Sequence, residues 1–385
     1  MPVFASRRRI PGTAAGRVAV LALLLPAFTA SAEPVDFPLL PALPSERAIN
    51  GLLLEVARSD DRLLLVGEQG RILWSDDGGR SWTQASVPVS LAITSVAVAG
   101  DGNAWAAAHE GFLLHSTDNG ETWSVGLSGS DVAALSVGAI EKQVEALRAA
   151  LAEATPDTRE DTEWALDEAL FALDEATLAV DEGMTTPLLR VWFADEETGY
   201  VLGAYNVFLR TDDGGATWES HSYRLDNPEK YHLYGIARST AGTLLAAGEA
   251  GTLQRSLDDG ATWERVDSPY PGSFFGTVAT SDGNLLIFGL RGNVFRSTDE
   301  GASWTDVETH DSRTLTCGSA YADGTVVLAG AAGVVLHSDD AGRSFRVVPT
   351  EGSRAYSDVM TNPDGSLLLV GFGGISILNA EPGND

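Results

Sequence analysis

Short apolar runs, each closed by a polar corner, recur along most of this chain, and the same order of runs returns every 41 to 45 residues. Between 274 and 304 the order is FFGTVAT, NLLIFG, LRGNVFRS and TDEGASW. Runs of this length, rich in Val, Leu, Ile and Phe and bounded by Gly, Asp and Asn, predict strands. The order reads as an inner strand, a second strand, a tight G-x-x-G-like hairpin, a third strand, a polar corner and an outer strand. Units of this kind begin near Leu52, Ile93, Leu189, Tyr234, Phe275, Leu315 and Tyr356, which makes seven. The seventh has only three strands, SDVMTN, SLLLVG and GISILN, and ends before any corner phrase.

The polar corner is an eight-residue phrase used six times: SDDGGRSW (75–82), STDNGETW (116–123), TDDGGATW (211–218), SLDDGATW (256–263), STDEGASW (297–304) and SDDAGRSF (338–345). Its common form, [ST]-x-D-x-G-x-[ST]-[WF], is the Asp-box or BNR signature. One such phrase per four-stranded unit predicts an all-β, seven-bladed β-propeller. The central Asp77, Asp118, Asp213, Asp258, Asp299 and Asp340 are placed to accept turn N–H groups. Gly79, Gly120, Gly215, Gly260, Gly301 and Gly342 are expected at positive φ. Trp82, Trp123, Trp218, Trp263, Trp304 and Phe345 carry apolar area to bury between blades. These roles are structural, and no metal is expected at the boxes, since the ligand order of a calcium loop is missing. The seventh blade needs a fourth strand, and Val35–Leu40 is the segment left to supply it, closing the ring and covering an exposed edge.

One interval breaks the period. Successive box aromatics stand 41, 95, 45, 41 and 41 residues apart, so the second interval holds an insertion. From 137 to 182 the chain turns to Ala, Leu and Glu. Ile140, Val144, Leu147 and Leu151 are spaced 4-3-4, and Leu166, Leu170, Leu173, Thr177 and Val180 continue 4-3-4-3. These are the seams of two helices, broken at Thr155-Pro156-Asp157, with Thr158 and Asp161 placed to cap the second. An antiparallel helical hairpin between blades two and three follows, leaving from the face opposite the boxes. It carries thirteen acids against three bases between 140 and 182, and reads either as a solvated decoration or as a docking arm for another protein.

Residues 1–32 read as a secretory signal, with Arg7, Arg8, Arg9 and Arg17, an apolar Val18–Leu25 and an A-x-A site at Ala30-Ser31-Ala32. The mature chain, 33–385, would comprise a closing strand and lead-in (33–50) and the propeller, exported across the inner membrane to the periplasm. No transmembrane span is expected after cleavage. Of 25 basic residues four lie in the signal, leaving 21 against 54 acidic ones. That balance disfavours nucleic acid and anionic lipid as partners. The single Cys317 cannot form an internal disulfide, so stability must come from packing. A monomer is expected.

Catalytic motifs fail one by one. His109-Glu110 lacks the second His of H-E-x-x-H, neither lysine of the mature chain follows a Gly in a phosphate loop, and Gly126-Leu127-Ser128-Gly129-Ser130 misses the last Gly of a nucleophile elbow. No cofactor or Cys/His metal pattern is found. The alternative from another class is a secreted Asp-box glycoside hydrolase of sialidase type, for which Arg291, Arg313 and Arg354 would hold a carboxylate near Tyr205, Glu249 or Glu110. A carboxylate pair would come from Glu68, Glu110 and Glu249. The face opposite the boxes offers candidate partner-binding positions in its hairpins and inter-blade connections: His109, Glu110, Tyr205, Tyr231, His232, Glu249, Phe274, Phe275, Arg291, Arg313 and Arg354. Tyr, Phe and Arg around one channel mouth suit a peptide or protein partner.

Units such as GSFFGTVATSDGNLLIFGLRGNVFRSTDEGASW and YGIARSTAGTLLAAGEAGTLQRSLDDGATW resemble the Ycf48/Hcf136-type propellers, photosystem II stability and assembly factors with relatives outside photosynthesis. The resemblance covers the mature chain apart from 137–182. It implies a non-enzymatic propeller that binds partly assembled membrane-protein complexes. The photosynthetic members carry an arginine-rich patch, for which Arg291, Arg313 and Arg354 stand in here, and they lack the helical hairpin. The expectation is therefore an accessory or assembly factor for another envelope complex, a transporter among the candidates.

Overall fold

The computed structural model describes residues 39–379, except 101, 183 and 184. The predicted signal therefore lies outside the described residues. Among the described residues seven antiparallel meanders follow one another along the chain, four-stranded in six cases and three-stranded in the last. Their inner strands are Leu53–Ser59, Ile93–Val98, Leu188–Phe193, Leu233–Arg238, Phe274–Ala279, Leu315–Ala320 and Tyr356–Thr361. Each packs on the next, and the seventh packs on the first, so the wheel closes. Six second strands, Ala104–Ala108 and Leu367–Gly371 among them, are buried at every position. They are continuous apolar runs because both faces of a blade press on neighbours, which removes the usual in-out alternation.

The second and third strands of blades one to six meet in a tight turn in which a non-glycine residue takes positive φ. Gln69, Glu110, Tyr205, Ala250, Arg291 and Ala332 lie between 51° and 61°. In all but one the next residue is a glycine also at positive φ, as a type I′ turn demands. In blade three it is Asn206. A single side chain from each of these turns is thereby placed at the tip, on one face of the wheel.

The boxes occupy the other face and repeat one geometry. In the fourth blade the Ser256 hydroxyl accepts the Gly260 N–H at 2.8 Å and donates to Asp258 Oδ1 at 2.8 Å. Asp258 also accepts the Thr262 N–H and hydroxyl at 2.9 and 2.6 Å. The glycine φ values run from 74° to 92° across the six boxes. The closing aromatics are buried or half-buried. Box carbonyls also accept hydrogen bonds from the preceding blade. Arg62 Nη1 reaches Asn119 O, Trp105 Nε1 reaches Gly214 O, Arg255 Nη1 reaches Glu300 O and Arg296 Nε reaches Ala341 O, at 3.1–3.3 Å. Arg210 makes the same bond to Asp259 O. The corner phrases thus clasp successive blades as well as turning each one.

The closing strand expected at Val35–Leu40 falls mostly on residues outside those described. Its two described residues, Leu39 and Leu40, are not in a strand, and Ser90 Oγ donates to Leu40 O at 2.7 Å, on the connection from blade one to blade two. Ala42 N–H donates to Val87 O in the same place. Among the described residues the seam between blades seven and one is held by other means. Leu53, Val56, Leu63 and Leu65 share a core with Leu368 and Val370, joined by Ala48 and Ile49 of the lead-in. The Val56 N–H donates to Asp358 Oδ2 at 2.9 Å, and Arg58 Nη2 donates to Asn362 Oδ1 at 3.1 Å.

The insertion is two helices packed together, α1 (Gly129–Glu153) and α2 (Arg159–Glu182). α1 begins at Gly129, not at Val137, because Ser128 and Asp131 form a capping box directly after the outer strand of blade two. Before α2, Thr158 Oγ1 accepts the Thr155 N–H at 3.2 Å, a bond within the preceding turn, and among the described residues no hydrogen bond joins Thr158 to Asp161 as the expected cap would. α1 leans on the hairpin of blade two and the outer strand of blade three, on the face opposite the boxes. Val144 is buried and Ile140, Leu147 and Leu151 are half-buried on its seam, as are Leu166, Leu170 and Leu173 on that of α2. Thr177 and Val180 are exposed.

Candidate functional site: the hairpin-face mouth

The hairpin face divides into an aromatic sector and an arginine arc. In the aromatic sector Tyr205, at the tip of the blade-three turn, is 64% exposed. Its ring stands edge-on to His232 at 4.8 Å. His232 meets Tyr234 at 6.1 Å, and Tyr234 meets Phe275 at 5.3 Å. A bulky side chain at positive φ is uncommon. Tyr205 is kept there by the Val207 N–H to Ala204 O bond and by Asn206, whose Nδ2 donates to Ser222 O.

The connection that presents Tyr231 and His232 is built on buried Asn227. Its Nδ2 donates to Asn206 Oδ1 and to Tyr231 O, and its Oδ1 accepts the Tyr231 N–H. Glu249 Oε2 accepts the His232 N–H at 3.3 Å and lies 3.8 Å from its Nδ1. His109 is exposed and Glu110 half-buried at the blade-two tip, on the turn against which α1 rests.

Phe274 does not belong to the mouth. It is fully buried, with Leu245, Leu253 and Ile287. The first residue of every inner strand faces the core between blades, and only the second, here Phe275, turns toward the opening. The arginine arc runs over blades five to seven. Arg291 is exposed at its turn tip. Arg313 is clamped by Asp311, with Nε at 3.0 Å from both carboxylate oxygens, and its Nη1 donates to Ala332 O at 3.0 Å. That hydrogen-bonded pair pushes the guanidinium up and the Asp311 carboxyl down. Arg354 is exposed beside the blade-seven turn at Gly373. Of the hydrolase candidates, Glu68 is paired with Arg71 at 2.9 Å. Three arginines therefore share one arc, but only Arg291 and Arg354 present heads not already clamped by a carboxylate at hydrogen-bond distance.

Deeper in the channel lies a charged tie that the sequence reading did not single out. The third residues of the seven inner strands are Glu55, Ser95, Arg190, Gly235, Gly276, Cys317 and Asp358. Arg190 of blade three reaches Glu55 of blade one, Nη1 to Oε1 at 3.1 Å, passing blade two. Its side chain stays 37% accessible while protein surrounds it, as a group standing in the bore would. Glu55 Oε2 accepts the Val96 N–H at 2.7 Å. Burial, and then the negative charge of Glu55, push the Asp358 carboxyl up to about 7. The signal was available: polar or very small residues at one repeated position of strands that are otherwise apolar. Cys317 of the same column is buried, with its thiol pushed up by burial.

Among the described residues no group of three or more His, Cys, Asp or Glu is arranged to hold a metal ion. The box carboxylates are taken up by hydroxyl and N–H donors. Among the described residues no helix is long and apolar enough to cross a membrane.

A model of the family described as photosynthesis system II assembly factor YCF48 matches residues 43–141 and 174–313. The chain belongs to this family. The unmatched stretch between the two segments falls in the helical hairpin. That family is named for assembly, not catalysis. A curated relative, the photosystem II assembly lipoprotein Ycf48 of Synechococcus sp. (strain CC9902), is 35% identical over 79 residues, covering 20% of this chain and 23% of that protein. The aligned part thus spans about a quarter of that relative's length. Solved structures share the fold at lower identity. YCF48 bound to D1 peptide is 15% identical with a TM-score of 0.59, covering 86% of this chain and 93% of that one. YCF48 from Cyanidioschyzon merolae is 14% identical with a TM-score of 0.59, covering 86% and 95%. The WD40 propeller of Doa1, 9% identical with a TM-score of 0.58, covers 90% and 97%.

Proposed function

We propose that this chain is an exported, non-catalytic propeller that binds a segment of a membrane protein at its hairpin-face mouth. In this reading it serves as an assembly or accessory factor for an envelope complex, a transporter among the candidates. The observation that carries the reading is the match to the assembly-factor family over blades one to five. The mouth supports it: exposed Tyr205 and half-buried His232 and Phe275 share one open face with Arg291 and Arg354. Aromatic and arginine side chains on such a surface are the usual anchors of a protein partner. YCF48 has been solved with a peptide of D1; by analogy, the ligand here is a polypeptide segment, and an acidic or carboxylate-ended one would suit the arginine arc.

The test is affinity purification from envelope extracts with the intact mouth and with a Tyr205→Ala/Arg291→Ala variant. A stoichiometric membrane protein retained by the first and lost from the second supports the proposal. Retention by both, or recovery of no membrane protein, overturns it.

A further inference from the structure

The second helix of the insertion repeats itself every seven residues: WALDEAL (164–170), FALDEAT (171–177) and LAVDE (178–182). The seam toward α1 uses the third and seventh places, Leu166, Leu170 and Leu173, which are half-buried. The first place of each repeat holds Trp164, Phe171 and Leu178, which are 65%, 66% and 55% exposed. These three lie on the side of α2 away from α1, in a straight stripe of about 21 Å at 1.5 Å per residue. A strict seven-residue apolar repeat keeps such a stripe facing one way, and that is the pattern of a helix with a helical partner. One seam is satisfied by α1. The second is not.

Lys230, on the connection between blades three and four, pairs with Glu175. Glu175 stands four residues after Phe171 and three before Leu178, so this pair lies on the flank of the stripe. The stripe therefore runs beside a contact between α2 and the connection of blades three and four. Its borders are acidic: Asp167 and Glu168 follow Trp164 by three and four residues, and Asp174 and Glu175 follow Phe171 in the same way. Between 159 and 182 there are nine acids and one base, Arg159.

We propose that the Trp164–Phe171–Leu178 stripe of α2 is a docking seam for a partner's amphipathic helix whose apolar stripe is bordered by Lys and Arg. Charge decides among the occupants. A second copy of this chain would set two acid-bordered stripes, from chains of formal charge −29, against each other. An anionic lipid surface would be repelled in the same way. A basic amphipathic helix meets both the stripe and its borders, with Trp164 as the natural anchor. None of its three residues belongs to the mouth.

The experiment uses the full mature chain and a labelled synthetic helix of three heptads with a Leu stripe bordered by Lys and Arg. A twin peptide carries Glu in place of those bases. Fluorescence anisotropy should show saturable binding of the basic peptide, weakening as salt is raised, with at least tenfold weaker binding of the twin. A Trp164→Ser/Phe171→Ser/Leu178→Ser variant, with an unchanged melting temperature because these side chains are exposed, should lose at least tenfold. Asp167→Lys/Asp174→Lys should also lose affinity for the basic peptide, and Tyr205→Ala/Arg291→Ala should not. Equal binding of both peptides, or unchanged binding by the stripe variant, overturns the proposal. So does a dimer of the wild-type chain that the stripe variant dissolves, or flotation of the chain with anionic or zwitterionic vesicles through the stripe.

Discussion

The two faces of this wheel treat polar groups in opposite ways. On the box face the carboxylate, hydroxyl and glycine N–H of the corner phrase are answered inside the chain: Asp258 by Thr262 and Ser256, the Gly260 N–H by Ser256, the Glu300 carbonyl by Arg255. On the hairpin face Tyr205, Arg291 and Arg354 stand out into solvent, two of them on residues held at positive φ. Repetition is the cause of the difference. A box must work identically six times, so its donors and acceptors are matched locally. The turn tips need only the backbone pattern, and their side chains are free to vary from Gln69 to Ala332. Where the sequence repeats, it builds; where the same position varies, it has room to recognise.

The largest effect that separates the faces concerns binding. Tyr205→Ala with Arg291→Ala should weaken capture of a mouth-bound partner by tenfold or more while shifting the melting temperature little, because both side chains are exposed. A large fall in melting temperature would place these residues in the scaffold and erase the contrast. On the opposite face the expectation is reversed. Asp340→Ala strands the N–H groups of Arg343 and Ser344 and the Ser338 hydroxyl. Losing such an acceptor costs about 1–3 kcal/mol, read by denaturant unfolding, with partner binding retained.

That box also has a pH signature. Burial alone would push the Asp340 carboxyl up, but the Ser344 and Ser338 hydroxyls and the neighbouring N–H groups outweigh it and hold it at about 2. A carboxyl held low in the folded state stabilises it above the ordinary pKa near 4, and that contribution is lost as pH falls through about 2. The stability gap between wild type and Asp340→Ala should therefore shrink between pH 4 and pH 2. A constant gap would show that the carboxylate charge is irrelevant to the turn.

Much of this was legible in the chain. Seven units, their inner-strand starts to within a residue, the six boxes and the presence of a helical pair all follow from spacing. What escaped detection depends on relations across blades. Asp358, Arg190 and Glu55 lie 303, or fewer, positions apart along the sequence and meet only because the ring closes. Phe274 and Phe275 are adjacent aromatics, and only the bulge between the first and third residues of each inner strand decides which one turns into the core. The early start of α1 was hidden because Ser128 and Asp131 look like one more loop until the capping box is recognised.

The channel tie offers a smaller effect with the opposite sign to the boxes. Asp358 is pushed up to about 7, so its neutral form is the one the fold prefers. The corresponding stability is full below the unfolded value near 4 and is lost as pH rises through about 7. Asp358→Asn keeps a neutral acceptor for the Val56 N–H. It should match wild type at pH 4 and exceed it at pH 8. An Asn variant that is less stable at pH 8 would mean that the charged carboxylate holds the seam between blades seven and one.

The smallest effect tests whether the box clasps its neighbour or only turns its own blade. Arg255 donates to Glu300 O in the next box at 3.2 Å and pairs with Glu264 within its own blade at 2.6 Å. Glu264→Gln removes the charge of the exposed partner and should cost well under 1 kcal/mol, as exposed ion pairs do. Arg255→Ala removes both partners and leaves the half-buried carbonyl without its donor, so about 1 kcal/mol should be lost. Arg255→Lys can keep one contact but not both, because a single ammonium cannot replace the planar fork. If all three variants are equally stable, the carbonyl bond is incidental and each blade stands by its own turn. If Arg255→Ala alone is weakened, the box face is a ring of linked corners, and its lack of recognition chemistry follows from that use.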